Sequence, residues 1–384
     1  MRALLLALAC LAAAASTAHA AHARGDLSQS LLVSSGMHVL SGLSHPAPDS
    51  VDLGSDARRA QQRAPGPLDD PGMCSVFAAD SIFGRRAARR GETSAAAMGP
   101  RPSDAIAAFD PAKAAKLAQL QSIAYCADVE AVARWACARC AALPGFQPHL
   151  VHFDEQWDLL AYAGYWPEQG AKVVVFRGTD SSSWYNWAEN MRAWRTDASW
   201  PVPGAPKALR LHSGFLVLWN SSSMAGTIKG AFAELLRAHP RGPTLVLGHS
   251  MGGALAHLAA LDLKVQFGLP DVKVYTFGAP RVGNSVFARF FQEQVTEAWR
   301  FTHGRDIVPS VPPMLLGFHH VSREVWLVDV EDAGSPGGVQ QRMVVCDDSG
   351  EDPTCHNSAC RLGLCTSVAD HLQYFGHMYR GGEC

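Results

Sequence analysis

Ser250 lies in Gly248-His249-Ser250-Met251-Gly252, a G-x-S-x-G pattern, with the apolar run Thr244 to Leu247 before it and the helix-forming stretch Gly253 to Leu261 after it. A strand that turns sharply into a helix at a serine presents its hydroxyl above a sheet edge. Glycines flank the serine because the strained turn brings strand and helix backbones together, and only glycine removes the Cβ clash. A serine hydroxyl is a weak nucleophile at neutral pH and needs an imidazole base oriented by a third group. The chain order expected for such a turn is Ser, then Asp or Glu, then His, and Asp306 and His371 supply it. Asp306 follows a predicted strand ending at His303 and precedes Val308-Pro309-Ser310-Val311-Pro312-Pro313. His371 sits where Tyr374 and Phe375 can anchor it by packing. Spacing alone does not select this pair among sixteen histidines. His319, His320 and His377 compete with His371, and Asp329 and Asp180 with Asp306; Asp180 precedes the serine and reads instead as a loop residue.

The surrounding motifs narrow the choice. Phe176-Arg177-Gly178-Thr179, His212-Ser213-Gly214-Phe215, Tyr275 to Asn284 (YTFGAPRVGN), Asp306-Ile307-Val308-Pro309, Asp370-His371-Leu372 and Tyr374-Phe375-Gly376 together resemble the fungal-type class 3 lipases, in that family's order, from about Pro111 to Cys384. The resemblance implies an α/β-hydrolase fold with a mainly parallel central sheet flanked by helices, and a lid. It implies Ser250 as nucleophile, His371 as general acid and base, and Asp306 as the group that orients the imidazole. Oxyanion donors are expected at the amide of Met251, directly after the nucleophile, and at Thr179, which resembles the family's hole residue. His249 belongs to the family's elbow and is expected to give a supporting hydrogen bond.

Substrate class should be written between Asp180 and Trp200, where Trp184, Tyr185, Trp187, Met191, Trp194 and Trp200 crowd a segment that otherwise carries charges. Asn186-Trp187 resembles the family's lid, and aromatics on one face of an amphipathic helix suit a lipid surface. The alternative is a buried packing helix. The implied activity is that of a triacylglycerol lipase working through an acyl-enzyme on Ser250, at an oil-water or membrane interface, with no metal and no organic cofactor. Phospholipase A1 or a feruloyl-type esterase are the alternatives within the family, and a non-catalytic secreted binding protein is the alternative outside it.

The elements that must position these residues follow from periodicity and turn chemistry. Helices are predicted over Pro111 to Ala124, with Leu117, Leu120 and Ile123 at helical spacing, and over Ala225 to Ala238 and Ser285 to Val295. Strands are predicted over Asp158 to Tyr165, Ala171 to Arg177, Thr244 to Leu247, Val272 to Phe277 and Trp299 to His303. Val321 to Val330 and Gln341 to Val345 are expected to pair as a hairpin. Strands alternating with helices indicate a mainly parallel sheet with antiparallel edges.

Composition bounds the rest. A 48% apolar fraction over 384 residues is ample for a large core, and a formal net charge of -2 leaves no basic footprint for nucleic acid. Residues 1–20 read as a secretory signal, with Arg2, an apolar run to Ala15 and Ala18-His19-Ala20 as cleavage site. Residues 21–108 read as a low-complexity extension or propeptide with paired arginines at Arg58-Arg59, Arg85-Arg86 and Arg89-Arg90. Residues 109–384 are then the catalytic domain, secreted or in the lumen of the secretory pathway. Cysteine usage fits an oxidising destination. The resemblance implies Cys126 with Cys384, Cys137 with Cys140 and Cys346 with Cys355, which leaves Cys360 with Cys365 in a loop that the family pattern lacks. Cys74 lies outside the resemblance, and zinc is the rival reading of Cys137-x-x-Cys140 and the C-terminal cluster.

Overall fold

The computed structural model describes residues 109–179, 202–332, 334, 339–360, 365–382 and 384. Asp110 starts the first helix, Pro111–Ile123 (α1), by accepting from the backbone N–H of Ala112 at 3.0 Å and Lys113 at 3.1 Å. Proline at the first helical position costs nothing there, because that N–H has no intrahelical acceptor. Leu117, Leu120 and Ile123 are fully buried. A short helix, Val129–Ala133 (α2), leads to three strands, Gln147–Asp154 (β1), Leu159–Trp166 (β2) and Ala171–Phe176 (β3), paired antiparallel in that order.

Ser213–Ser221 (α3) and Met224–Ala238 (α4) precede Thr244–His249 (β4), and Met251–Phe267 (α5) follows it at once. Then come Val272–Phe277 (β5), the two-residue strand Gly283–Asn284 (β6), Ser285–Gln294 (α6) and Glu297–His303 (β7). Phe318–His319 (β8) pairs with β6, and Glu324–Glu331 (β9) with Val339–Val345 (β10). Two one-turn helices, His356–Ala359 (α7) and Val368–His371 (α8), and the small pair Gln373–Tyr374 (β11) with His377–Met378 (β12) complete the described chain.

Among the described residues the main sheet has eight strands, in the order β1-β2-β3-β4-β5-β7-β9-β10. It is parallel from β3 to β9 and antiparallel at both edges. Alternation across the strands sends Val174, Phe176 and Val246 to one face and Val173, Val175, Leu245 and Leu247 to the other. Both faces are covered, by residues of α3, α4, α5 and α6 on the first and of α1 on the second. That is why the central strands β3, β4 and β5 are mostly apolar on both faces, with Lys172 and Lys273 as exceptions near their starts. Helix α5 is buried at every position from Met251 to Leu261 and ends on Gly268 at φ 62°. Helix α4, half covered, keeps Met224, Ile228, Phe232 and Leu235 inward.

Among the elements that the sequence analysis does not predict are β1 and α3. β1 is an edge strand whose mixed polar and apolar residues and Pro148 carry little alternation, so its pairing with β2 is what makes it a strand. α3 lies under the His212-Ser213-Gly214-Phe215 motif, and packing of Phe215 and Trp219 in the core makes it a helix. Disulfides join Cys126 to Cys384, Cys137 to Cys140, Cys346 to Cys355 and Cys360 to Cys365. The carboxyl ends of β3, β4, β5 and β7 lie along one edge of the sheet, so the segments starting at Arg177, Ser250, Gly278 and Gly304 are brought together there. The expected signal and extension at residues 1–108, with Cys74, and the segment 180–201 with Asp180, Trp184, Trp187 and Trp194 lie outside the described residues.

Candidate active site

The turn between β4 and α5 places Ser250 at φ 56° and ψ -129°. Such a backbone costs about 1–3 kcal/mol for a residue with a side chain and persists only where its surroundings hold it. Here the Ser250 N–H donates to the carbonyl of Phe277 at 2.9 Å. A Cβ added at Gly248 would stand 2.1 Å from the Gly252 carbonyl oxygen, and one at Gly252 would stand 2.4 Å from that of Arg177. Both glycines are needed for strand, helix and neighbouring strand to approach this closely. The Ser250 hydroxyl is buried and has no hydrogen-bond partner among the described residues, an unpaired state that buried polar groups rarely keep without a function.

Asp306 and His371, 65 positions apart, meet at 2.9 Å between Oδ2 and Nδ1. Both are buried, Asp306 completely. The carboxylate is held by two further donors, the Tyr374 hydroxyl at 2.5 Å on Oδ2 and the Val308 N–H at 2.8 Å on Oδ1. Burial, with Asp306 next in importance, pushes the Tyr374 phenol well above its usual pKa, so it stays a donor. A Cβ at Gly278, just past β5, would lie 2.6 Å from Asp306 Oδ2 and 3.0 Å from His371 Nδ1. The backbone after β5 therefore closes over the pair.

His249 links the serine turn to the histidine. Its Nε2 lies 2.8 Å from the His371 carbonyl oxygen, its Nδ1 2.5 Å from the Tyr125 hydroxyl, and its ring 4.5 Å from the His371 ring. A carbonyl only accepts, so Nε2 carries the proton and Nδ1 accepts from Tyr125. Tyr125 in turn accepts the Gly178 N–H at 2.9 Å. Burial, reinforced by His371, holds the His249 imidazole well below its usual pKa, so it is a neutral strut. Tyr125 is a site residue that sequence reading missed. It sits 53 positions before Gly178 and 124 before His249, and no local pattern announces such a contact.

Thr179 stands at the end of the β3 segment with its hydroxyl 3.6 Å from the Met251 sulfur, so these two residues are neighbours. The Met251 amide opens α5 and has no intrahelical acceptor. Three of the competing residues are engaged elsewhere. Asp329 Oδ2 pairs with His303 Nε2 at 3.1 Å, His320 Nε2 lies 2.9 Å from the Pro309 carbonyl, and His319 Nδ1 lies 2.7 Å from the His320 carbonyl. Among the described residues, three groups have metal-ligand types within reach of one another, and the sulfurs in each are disulfide-bonded.

The family profile described as lipase (class 3) matches residues 173–316. The lipase of Rhizomucor miehei is 33% identical over 264 residues, which cover 67% of this chain and 66% of that protein. A secreted mono- and diacylglycerol lipase of Fusarium solani is 44% identical over 117 residues, 30% of this chain and 34% of that one. The chain thus spans just under two thirds of the first of these relatives and a third of the second. A solved lipase from Rhizopus microsporus var. chinensis matches with a TM-score of 0.59 at 30% identity, covering 70% of this chain and 89% of that one. With this sheet, this strained serine turn and these relatives, the chain belongs to the class 3 lipase family and has its α/β-hydrolase fold.

Proposed function

We propose that the protein is a serine ester hydrolase of lipase type that cleaves acylglycerol esters through an acyl-enzyme on Ser250. The observation that carries this reading is the buried 2.9 Å contact of Asp306 with His371 beside a strained serine whose hydroxyl is unpaired. Asp306 engages Nδ1, which leaves Nε2 of His371 as the atom that takes the Ser250 proton as Oγ attacks the ester carbonyl. The amides of Met251 and Thr179, with the Thr179 hydroxyl, stabilise the oxyanion. Collapse breaks the ester bond, and His371 returns the proton to the departing glyceride alcohol. Water then attacks the acyl-enzyme with His371 again as base, releasing the fatty acid and restoring Ser250. The names of the relatives support acylglycerols as substrate class. Trp184, Trp187 and Trp194 act as a lid that shields the site in water and meets lipid when open.

Ser250→Ala, His371→Ala and Asp306→Asn are each expected to lower ester turnover by about a thousandfold or more, non-additively, in protein that still folds. Near wild-type turnover in Ser250→Ala would refute the reading. Emulsified triglyceride, phospholipid and feruloyl ester assayed side by side separate the lipase from its alternatives. A short-chain triglyceride followed through its solubility limit tests the lid, with a steep rise expected and a smooth saturation curve counting against it. We further propose that residues 1–20 direct secretion and that 21–108 are removed, because a low-complexity, Arg-paired segment is readily nicked. N-terminal sequencing of the secreted enzyme should find a start between Arg86 and Asp110; a start at Ala21 in active enzyme would refute processing.

A further inference from the structure

The turn that carries Asp306 is gripped from two sides. On one side His356, the first residue of α7, places Nε2 at 2.9 Å from the Asp306 carbonyl oxygen. Because a carbonyl only accepts, Nε2 carries the proton and donates. The same nitrogen lies 3.2 Å from the sulfur of Cys360, the residue that ends α7. His356 is itself tied down, its N–H reaching Glu324 Oε1 at 3.4 Å, and Glu324 also binds the Thr302 hydroxyl and Arg300.

On the other side Ser367 pairs with the backbone of the same turn. Its N–H donates to the Arg305 carbonyl at 3.2 Å, and its carbonyl accepts the Ile307 N–H at 3.4 Å. The Ser367 hydroxyl accepts the Asp370 N–H at 3.1 Å, capping α8, the helix that ends on His371. The disulfide Cys360–Cys365 joins the two gripping segments, and His356, Cys360 and Cys365 are all buried. One clip therefore connects the support behind the Asp306 carbonyl to the segment that brings His371 to the Asp306 carboxylate.

We propose that His356 and the Cys360–Cys365 disulfide are positioning residues for the acid-base pair, holding the Asp306 turn and the His371 segment in register so that Asp306 Oδ2 meets His371 Nδ1. The proposal rests on the reading of Ser250, Asp306 and His371 as the catalytic groups. His356 acts through the Asp306 backbone and has no contact with substrate to perform. Loosening the clip leaves the substrate groove intact and misplaces the base, so the loss falls on turnover and not on binding.

The test uses the full chain on a dissolved short-chain ester, with active sites counted by a fluorophosphonate. Cys360→Ser/Cys365→Ser and His356→Leu are expected to lower kcat per titrated site by about tenfold or more, the scale of a small misplacement of reacting groups. KM should stay unchanged. His356→Gln, which can return an N–H to the Asp306 carbonyl, is expected to restore most of the loss. Wild-type turnover per titrated site in the disulfide variant, or a His356→Gln enzyme as slow as His356→Leu, overturns the proposal. Should the disulfide variant not fold, mild reduction of folded wild-type enzyme, with peptide mapping of the opened bridge, gives the same reading. Turnover unchanged with Cys360–Cys365 open overturns it. Ser250→Ala run in parallel distinguishes the two levels, since labelling or turnover surviving in that variant removes the catalytic assignment itself.

Discussion

Tyr374 puts a single hydroxyl on the carboxylate of the candidate site. Its O–H donates to the same Asp306 oxygen that receives His371. A hydrogen bond to a buried charge contributes about 1.5–3 kcal/mol. Tyr374→Phe keeps the ring and its packing against Phe277 and Tyr379, so the loss is confined to the carboxylate. We expect kcat to fall by about tenfold with KM unchanged, where tenfold corresponds to about 1.4 kcal/mol. Steady-state kinetics on a dissolved ester is the check, and an unchanged kcat would show that Val308 and His371 suffice to orient Asp306. Ser250, Asp306 and His371 could be picked out as candidates because each sits in a motif that carries the family resemblance. The hydroxyl roles of Tyr125 and Tyr374 were not, because a tyrosine is equally at home as packing, and Tyr374 reads from sequence only as an anchor.

At the scale of elements, the elbow is a three-way contact between the end of β3, the end of β4 and the start of α5. Gly252 lies where a Cβ would meet the Arg177 carbonyl oxygen at 2.4 Å and the Phe176 carbonyl oxygen at 2.5 Å. Both are backbone atoms at the end of a central strand and cannot turn aside. Gly252→Ala must lift α5 from β3 and separate Met251 from Thr179. Overpacking of this kind costs about 1–3 kcal/mol, and a shift near 1 Å at reacting groups costs about a hundredfold in rate. A lower Tm together with slower fluorophosphonate labelling is the expected outcome. Labelling at the wild-type rate would mean that the elbow relaxes without moving the site. The flanking glycines are legible from the motif, but the atoms Gly252 makes room for belong to a strand more than seventy residues earlier.

For the molecule as a whole, the Cys126–Cys384 disulfide spans a sequence separation of 258 and ties the turn just after α1 to the last described residue. Bridges of this kind typically stabilise by about 2–5 kcal/mol. Acid works in the other direction. Burial lowers the His257 imidazole to about 4 from 6.5. The unfolded chain binds a proton there from about pH 6.5 downward and the folded chain does not until about pH 4, so stability falls across that window. Burial alone would raise Glu351, but Arg281, gripping both its oxygens at 2.7 and 2.8 Å, together with the His320 N–H and Asn357, holds it to about 2 from 4.5. That stability is complete above about pH 4.5 and is lost as pH falls toward 2. Each group accounts for about 3 kcal/mol. Scanning calorimetry should find Tm level near pH 7, declining from pH 6.5 and steepening below pH 4.5. A constant Tm from pH 7 to pH 4 would rule out the His257 contribution.

What the sequence determined by itself is local. The strand-serine-helix turn, the apolar run of β4 and the helix of Pro111–Ile123 lie in neighbouring residues, where propensity and periodicity act, and the order of Ser250, Asp306 and His371 can be read along the chain. What tertiary structure alone decided is each contact made across the sheet edge or around a loop. Examples are the Tyr125 hydroxyl between Gly178 and His249, the His356 donor behind Asp306, the Arg281–Glu351 pair, and edge strand β1. The physical reason is shared by all of them. A hydrogen bond between buried groups is worth making wherever folding happens to bring a donor to an acceptor, and nothing in the spacing of either residue along the chain records where its partner will be.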